Sequence, residues 1–167
     1  MLPVVGVIGA SRPAEETDRI AFEVGRGIAK MGAVLVCGGL TGVMENACRG
    51  AKEEGGLTLG IIPGDSPAEA NRFVDIVIPT GMGMTRNSLV VRSAAVLVAV
   101  GGSHGTLSEI AFALNFRKKV FALRTWELGK AGAAGPDFFP VATVDEALAG
   151  VRSELDSLGL ASARGHR

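Results

Sequence analysis

The sequence predicts an α/β fold built on a doubly wound, parallel sheet of about six or seven strands with helices on both faces. Short apolar runs alternate with longer amphipathic stretches along the chain, as expected for parallel strands joined by crossover helices. The 24 glycines among 167 residues suit tight turns from strands into helices, and 47 % hydrophobic residues suit a packed core. We therefore expect one domain over residues 1–160 and a frayed tail at 161–167.

Seven segments are predicted to form the strands. Each is a short run dominated by apolar side chains and followed by glycine, proline or polar residues. In chain order they are Val4–Ile8, Ala33–Val36, Thr58–Ile62, Val74–Ile78, Ala95–Val100, Val120–Leu123 and a short seventh, Phe139–Ala142.

Helical periodicity fills the gaps between these strands. Ser66 to Glu69 predicts a short capped turn, Met82 to Arg92 predicts a helix, and Thr143 with Glu146 predicts a capping box at the start of the last helix. The segment at 130–137 is predicted to be a flexible loop. Three helices show a continuous inner stripe, formed by Ile20, Val24, Ile28 and Met31, by Leu107, Ile110, Ala111 and Leu114, and by Val144, Leu148, Val151, Leu155 and Leu158.

Composition and charge exclude several classes of protein. Seventeen basic and seventeen acidic residues give no net charge, so no overall basic field draws the protein to nucleic acid. The sequence lacks an apolar run of membrane-spanning length and a basic signal-peptide start, which predicts a cytoplasmic protein that does not enter a membrane. Two histidines and two isolated cysteines, Cys37 and Cys48, are too few for a metal site, and we interpret the cysteines as buried, reduced thiols.

Three predicted strands run into loops of small residues, at Gly9–Pro13, Cys37–Gly42 and Gly101–Thr106. In a parallel sheet these loops lie at one edge, where backbone N–H groups and helix N-termini favour a phosphate. The alternative is that the glycines only let each strand turn sharply. The candidate binding residues are Gly9, Ser11, Gly38, Gly39, Thr41, Gly42, Gly101, Gly102, Ser103, His104, Gly105 and Thr106.

A conventional dinucleotide site is not predicted. Such a site requires G-x-G-x-x-G after the first strand and an acidic residue at the end of the second. The first turn instead reads Gly6-Val7-Ile8-Gly9-Ala10-Ser11, and the second strand ends in Cys37-Gly38-Gly39. A mononucleotide or a similar phosphorylated molecule therefore remains the predicted ligand.

Glu109 and Arg86 are the candidate charged residues of this site. Thr106 and Glu109 also fit a capping box, in which the glutamate would only bond a backbone N–H at the start of its helix. Arg86 begins the helix that leads into the strand before the Gly101–Thr106 loop, and the predicted topology places it at the same edge of the sheet. Its alternative is an ordinary surface arginine.

Three stretches of the chain resemble a known family. They are GGLTGVMENACRGAKEEGG, GIIPG and MTRNSLVVRSAAVLVAVGGSHGTLSEI, and they look like the LOG-type proteins, phosphoribohydrolases that release cytokinin bases from nucleoside 5′-monophosphates. They also look like the related branch that includes molybdenum-cofactor carrier proteins. The resemblance covers roughly Val4 to Leu123 and implies a modified Rossmann-like, nucleotide-binding domain that forms a homodimer or a higher homo-oligomer.

The resemblance also implies roles for individual residues. The family motif PGGxGTxxE ends on Glu109, and Arg86 lies 23 residues earlier, at the position of the catalytic arginine (109 − 86 = 23). Glu109 would stabilise positive charge on the ribose or activate water, and Arg86 would orient the nucleotide. The amides from Gly102 to Thr106 would hold the phosphate, with His104 either donating to it or lying on the surface.

Departures from the motif keep two functions open. Gly101 replaces the proline, Ser103 replaces the second glycine, His104 replaces a usual aromatic residue, and Asn87 follows the arginine where lysine is frequent. The first hypothesis is a phosphoribohydrolase, and the second is a carrier or sensor of a phosphorylated ligand, a nucleotide or a molybdenum cofactor. The family's frequent label of lysine decarboxylase has no support, because none of the lysines lies in a pyridoxal-phosphate setting, and no cofactor is predicted.

Overall fold

A computed structural model describes residues 1–128 and 135–160 of the chain. They form one seven-stranded sheet in which every neighbouring pair is parallel, in the order β4-β3-β2-β1-β5-β6-β7. This confirms the predicted α/β class. The strands are β1 Val4–Gly9, β2 Val34–Cys37, β3 Thr58–Ile62, β4 Ile76–Pro79, β5 Val96–Val100, β6 Val120–Leu123 and β7 Phe138–Val141.

Five α-helices cover both faces of the sheet. Residues of α1, α2 and α5 share one buried apolar cluster, and residues of α3 and α4 share the cluster on the opposite face. Two short 3₁₀ helices, Pro67–Glu69 and Gly83–Arg86, precede β4 and α3. The α-helices are α1 Glu15–Lys30, α2 Val43–Glu53, α3 Asn87–Ser93, α4 His104–Asn115 and α5 Val144–Ser157.

Several strand ends are shifted by one residue from the predicted ends, and three elements differ from their prediction by more than that. The predicted strand Val74–Ile78 begins only at Ile76, because the Asp75 carboxylate accepts the Thr58 N–H at 2.9 Å in place of a backbone partner. The predicted helix Met82–Arg92 divides into a 3₁₀ turn and α3. Helix α4 starts at His104, two residues before Thr106.

The last helix follows the prediction in part. The Thr143 hydroxyl accepts the Glu146 N–H at 3.2 Å, but the Glu146 carboxylate accepts from Ala142 rather than completing the box on Thr143. Val151 is buried within the predicted stripe, whereas Leu158 is 50 % exposed beyond the helix end.

Two predictions concern segments that the structure covers incompletely or not at all. The predicted tail at 161–167 lies outside the described residues, and so does the part of the predicted 130–137 loop up to residue 134. Across the described ranges, none of the helices combines the length and the apolar character needed to cross a membrane.

Candidate anion-binding site

The three glycine-containing loops meet at the carboxyl edge of the sheet, because β2, β1 and β5 are neighbours in the strand order. A cavity of about 100 Å³ lies between them. We call it the anion cleft. It is lined by Gly9, Ser11, Leu40, Met44, Met84, Arg86, Asn87, Ser103, Gly105, Thr106 and Glu109.

Arg86 places a buried positive charge in the anion cleft. Its side chain is only 5 % exposed, and its Nη2 donates to the Gly38 carbonyl at 3.3 Å while Nη1 donates to the Asn87 Oδ1 at 2.5 Å. Its Nε has no hydrogen-bond partner within the described residues. Burial lowers the pKa of Arg86, opposed by the nearby Glu109 carboxylate. An unpaired, buried donor on a cation favours an anionic ligand.

Glu109 faces Arg86 across the cleft. Its Oε1 lies 3.8 Å from Arg86 Nη1, which is an ion-pair contact but longer than a hydrogen bond, and its side chain is 8 % exposed. Burial raises the pKa of Glu109 to about 8, although the charge of Arg86 acts in the opposite direction. At neutral pH the carboxyl group of the free protein is therefore mostly protonated.

The capping interpretation of Glu109 is wrong. Because α4 begins at His104, Glu109 lies in the second turn of the helix, beyond the positions that cap an N-terminus. Thr106 takes the capping position instead, and its hydroxyl accepts the Ser103 N–H at 3.3 Å. Arg86 is likewise a buried residue of the cleft and not a surface arginine.

Asn87 fixes the position of the arginine, which sequence reasoning did not foresee. Its carbonyl oxygen accepts from Arg86, and its amide nitrogen donates to the Ser108 hydroxyl at 3.2 Å. Ser108 in turn donates to the Gly105 carbonyl at 2.7 Å. This chain of contacts connects the guanidinium to the first turns of α4, so the charge and the helix N-terminus are held together.

The predicted residues of the second loop lie behind the cleft and do not line it. Gly38 backs Arg86 so closely that a Cβ at this position would lie 2.6 Å from Nη2. Gly39 donates its N–H to the Cys37 sulfur, Thr41 donates its hydroxyl to the Ser11 carbonyl, and Gly42 packs on the Ala10 carbonyl. These residues hold the first and second loops together.

The Gly101–Thr106 loop enters the cleft only with its second half. Gly101 has a φ of +59°, and Gly102 lies against Thr125 and Trp126 rather than against Arg86. His104 is exposed, and its ring centroid is 5.9 Å from that of Trp126. Ser103, Gly105 and Thr106 line the cleft. Trp126 is not among the predicted site residues, and its only signal in the sequence is that the chain has no other tryptophan.

Cys37 and Cys48 are free and buried behind the second loop, with their sulfur atoms 3.5 Å apart. The described part of the chain contains no group of three or more His, Cys, Asp and Glu residues placed to hold a metal ion.

The fold is Rossmann-like, with a small cavity at the carboxyl edge of its sheet, where proteins of this fold class bind ligands. The chain belongs to the SLOG cluster4 family, whose model matches residues 2–147. It is 50 % identical over 120 residues to an uncharacterised protein of Archaeoglobus fulgidus. The aligned residues cover 72 % of this chain and 79 % of the relative.

Two solved structures are similar over nearly the whole chain. The molybdenum cofactor carrier protein from Chlamydomonas reinhardtii is 37 % identical with a TM-score of 0.87, covering 93 % of this chain and 99 % of its own. The molybdenum cofactor binding protein from Rippkaea orientalis is 36 % identical with a TM-score of 0.85, covering 92 % and 97 %. The resemblance to the LOG-type branch near these carriers is thereby confirmed.

Proposed function

We propose that the protein binds and carries a phosphorylated small molecule, a nucleotide or a molybdenum-cofactor-type pterin, without turning it over. The observation that carries this proposal is Arg86, a buried guanidinium with an unpaired Nε and no carboxylate at hydrogen-bond distance among the described residues. A phosphate in the cleft would accept a hydrogen bond from this Nε and from the backbone amides at the start of α4. The two similar structures, named as molybdenum cofactor binding and carrier proteins, support the same proposal.

The state of Glu109 favours binding over hydrolysis. Cleavage of an N-glycosidic bond builds positive charge on the ribose, and an ionised carboxylate stabilises that charge. Because burial raises the pKa of Glu109 to about 8, the free protein offers mostly a neutral acid at pH 7. A neutral acid next to Arg86 leaves the positive charge of the cleft uncompensated and available to a phosphate.

The test of this proposal is calorimetric titration with AMP and with ribose 5-phosphate, followed by chromatography of the same mixtures. We expect saturable binding of both, with no free adenine after prolonged incubation. Arg92→Met, which removes an arginine stacked on Phe116 on the outer surface, serves as the control variant and should bind normally. Failure of both phosphates to bind would overturn the proposal.

A phosphoribohydrolase is the second candidate, favoured by the meeting of Arg86 and Glu109 over one cleft. In this reaction water attacks the ribose C1′, the C1′–N bond breaks, and the base leaves with a proton to give free base and ribose 5-phosphate. Incubation with AMP and an N6-substituted AMP would test it. Release of base by the wild type and its loss in Glu109→Gln would establish hydrolysis and replace the carrier proposal.

We also propose that two copies of the chain associate as a homodimer. Ile76 and Ile78 of the edge strand β4 are 48 % and 44 % exposed, on the face where their neighbour Ile61 is buried. Exposed apolar side chains in a row are typical of interfaces. Light scattering of the wild type should give twice the chain mass. Ile78→Lys should give the mass of a single chain, whereas Leu158→Lys, on the far side of the sheet, should keep the mass of the dimer. A monomeric wild type would refute the dimer.

We further propose that residues 1–160 form one nucleotide-binding domain, that the protein is cytoplasmic, and that it has no nucleic-acid partner.

A further inference from the structure

A second cavity, of about 370 Å³, lies beside the anion cleft at the ends of β6 and β7. We call it the Trp126 cavity. Its walls include the apolar side chains of Leu128, Phe138, Pro140 and Val141, together with Thr125 and Trp126. Its volume falls within the range of small-molecule sites, which is about 300–1,000 Å³, whereas the anion cleft is smaller than that range. A phosphate fits the cleft, and the remainder of a nucleotide-sized ligand requires space elsewhere.

Ser103 and Trp126 connect the two cavities. Ser103 lines the anion cleft, and its carbonyl accepts the indole N–H of Trp126 at 3.0 Å. The indole is 37 % exposed and lines the second cavity. The aromatic ring is therefore held one hydrogen bond away from the loop proposed to bind phosphate, which places a stacking surface next to the charge.

Thr125 supplies a polar group that the folded chain leaves unused. Its Oγ1 is buried and has no hydrogen-bond partner within residues 1–128 and 135–160. Buried hydroxyls are normally paired, so this hydroxyl, which lies against Gly102 at the edge of the cavity, keeps a hydrogen-bonding capacity that a ligand atom reaching it would fill. A ring nitrogen or an exocyclic amine of a heterocycle is a partner of the right kind.

The backbone of residues 124–126 is bent toward the Gly101–Thr106 loop. Arg124 has a φ of +49°, an unusual value for a residue with a side chain, and it turns the chain directly after β6. Thr125 and Trp126 consequently cross Gly102 so closely that a Cβ there would lie 2.9 Å from Thr125 Oγ1 and from Trp126 Nε1. Gly102 is thus needed for the approach of the tryptophan as well as for any phosphate contact.

We propose that the Trp126 cavity holds the planar heteroaromatic ring of the ligand whose phosphate lies in the anion cleft. This inference rests on the proposed function. The ring stacks on Trp126, and its polar edge bonds the Thr125 hydroxyl. The shared chemistry is a phosphate joined to a purine or a pterin, with AMP and neopterin monophosphate as the two probes.

Fluorescence tests the proposal directly, because Trp126 is the single tryptophan and the chain has no tyrosine. We expect AMP or neopterin monophosphate to quench Trp126 emission with saturation, and ribose 5-phosphate to bind at least about tenfold more weakly with little quenching. The better quencher of the two identifies the class of ring. Equal affinity for AMP, neopterin monophosphate and ribose 5-phosphate would overturn the proposal and place the ring outside any pocket.

Variants separate this inference from the proposed function. Trp126→Ala should reduce the affinity for the ring-bearing probe, measured by calorimetry, to the affinity for ribose 5-phosphate. The affinity for ribose 5-phosphate itself should not change. Trp126→Phe should recover most of the lost affinity for the ring-bearing probe. Phe116→Ala, a partly exposed aromatic at the other end of α4, is the matched control. Unchanged ring binding in Trp126→Ala refutes the inference alone, whereas failure of the wild type to bind any phosphate refutes the proposed function.

Thr125→Val is expected to change stability and ligand affinity in opposite directions. Removing an unpaired, buried hydroxyl should raise the urea midpoint of the free protein and weaken the ring-bearing probe about fivefold or more. A lower midpoint would mean that the hydroxyl is already paired in the folded chain, and unchanged affinity would mean that the ring does not bond it. Either outcome removes Thr125 from the proposal.

Discussion

Arg86 carries two features that a protein interior normally avoids, a buried charge and a donor, Nε, that no other described residue pairs. Both are costly in the free protein and are relieved only when an anion arrives. Its contacts to Gly38 and Asn87 hold the guanidinium in place without neutralising it. Stability and ligand affinity should therefore respond in opposite directions when this side chain is changed.

Arg86→Met should abolish phosphate binding without weakening the fold. We expect at least about a 100-fold loss of affinity for ribose 5-phosphate, because the charge and the fork of donors are gone. The free energy of unfolding should be equal or higher by about 1 kcal/mol, since a buried cation is replaced by an apolar chain. Calorimetry and urea unfolding measure the two quantities. A marked loss of stability would show that Arg86 serves the fold.

Glu109 should make the stability of the free protein fall with rising pH. Its pKa is about 8 in the folded chain and near 4.5 when unfolded, so the folded state binds more protons between these values. The stabilisation is full below about pH 4.5 and is lost as pH rises through about 8, at roughly 1 kcal/mol per pH unit. Urea unfolding from pH 5 to pH 8.5 should show this slope in the wild type.

Glu109→Gln removes the titrating group and should remove that part of the slope. Glu53→Gln on the exposed surface of α2 is the control and should keep the wild-type slope. Parallel slopes for the wild type and Glu109→Gln would contradict the raised pKa.

At the scale of elements, α1 and α2 cross through glycines. A Cβ on Gly25 would lie 1.9 Å from the Ala47 carbonyl oxygen, and one on Gly50 would lie 2.0 Å from the Phe22 carbonyl oxygen. The two helix backbones therefore approach more closely than any side chain permits. This contact sets how α2 meets the sheet, and with it the position of the second loop behind Arg86.

Gly25→Ala should destabilise the protein by about 2 kcal/mol or more, because the new methyl group meets a backbone that must move. Gly27→Ala on the same helix is the matched comparison. Its Cβ would meet the Leu148 side chain, which can rotate, and alanine favours the helix by about 1 kcal/mol, so we expect a change within about 1 kcal/mol. Urea unfolding compares them. Equal effects would show that the helices can separate at little cost.

Elements with a strong apolar period were predictable from the sequence, and their ends were not. The stripe of Val24 and Ile28 places α1 correctly, since periodicity reflects burial on one face. The start of β4 was missed because the Asp75 side chain replaces a backbone bond, and the start of α4 because Ser103 and Thr106 share a cap. Such side-chain contacts depend on tertiary positions that no local pattern contains.

The candidate site was predictable to the same degree. Spacing and loop composition pointed to Arg86 and Glu109, which the fold brings within 3.8 Å of each other. The same reasoning put Thr41 and Gly42 at the ligand, whereas they join two loops. Trp126 follows β6, a strand two positions away from β1 in the sheet, so only the strand order brings it to Ser103.

At the scale of the whole molecule, the reactivity of the two cysteines measures how often the fold opens. Cys37 and Cys48 are both fully buried, at the end of β2 and within α2. The hydrogen bond between the two thiols and the Gly39 N–H lower the pKa of the Cys37 thiol, while the same thiol–thiol bond and burial raise the pKa of Cys48. Burial denies a reagent access to either sulfur.

Thiol labelling with an aromatic disulfide reagent should therefore follow global unfolding. We expect both cysteines to react together, at a rate that rises with urea in step with unfolding and is negligible in its absence. Cys48→Ser and Cys37→Ser, each with one remaining thiol, should label at rates that differ only by their change in stability. If Cys37 alone reacts quickly without denaturant, the second loop opens locally. The support behind Arg86 would then be a moving part of the cleft, and ligand binding should suppress that reaction.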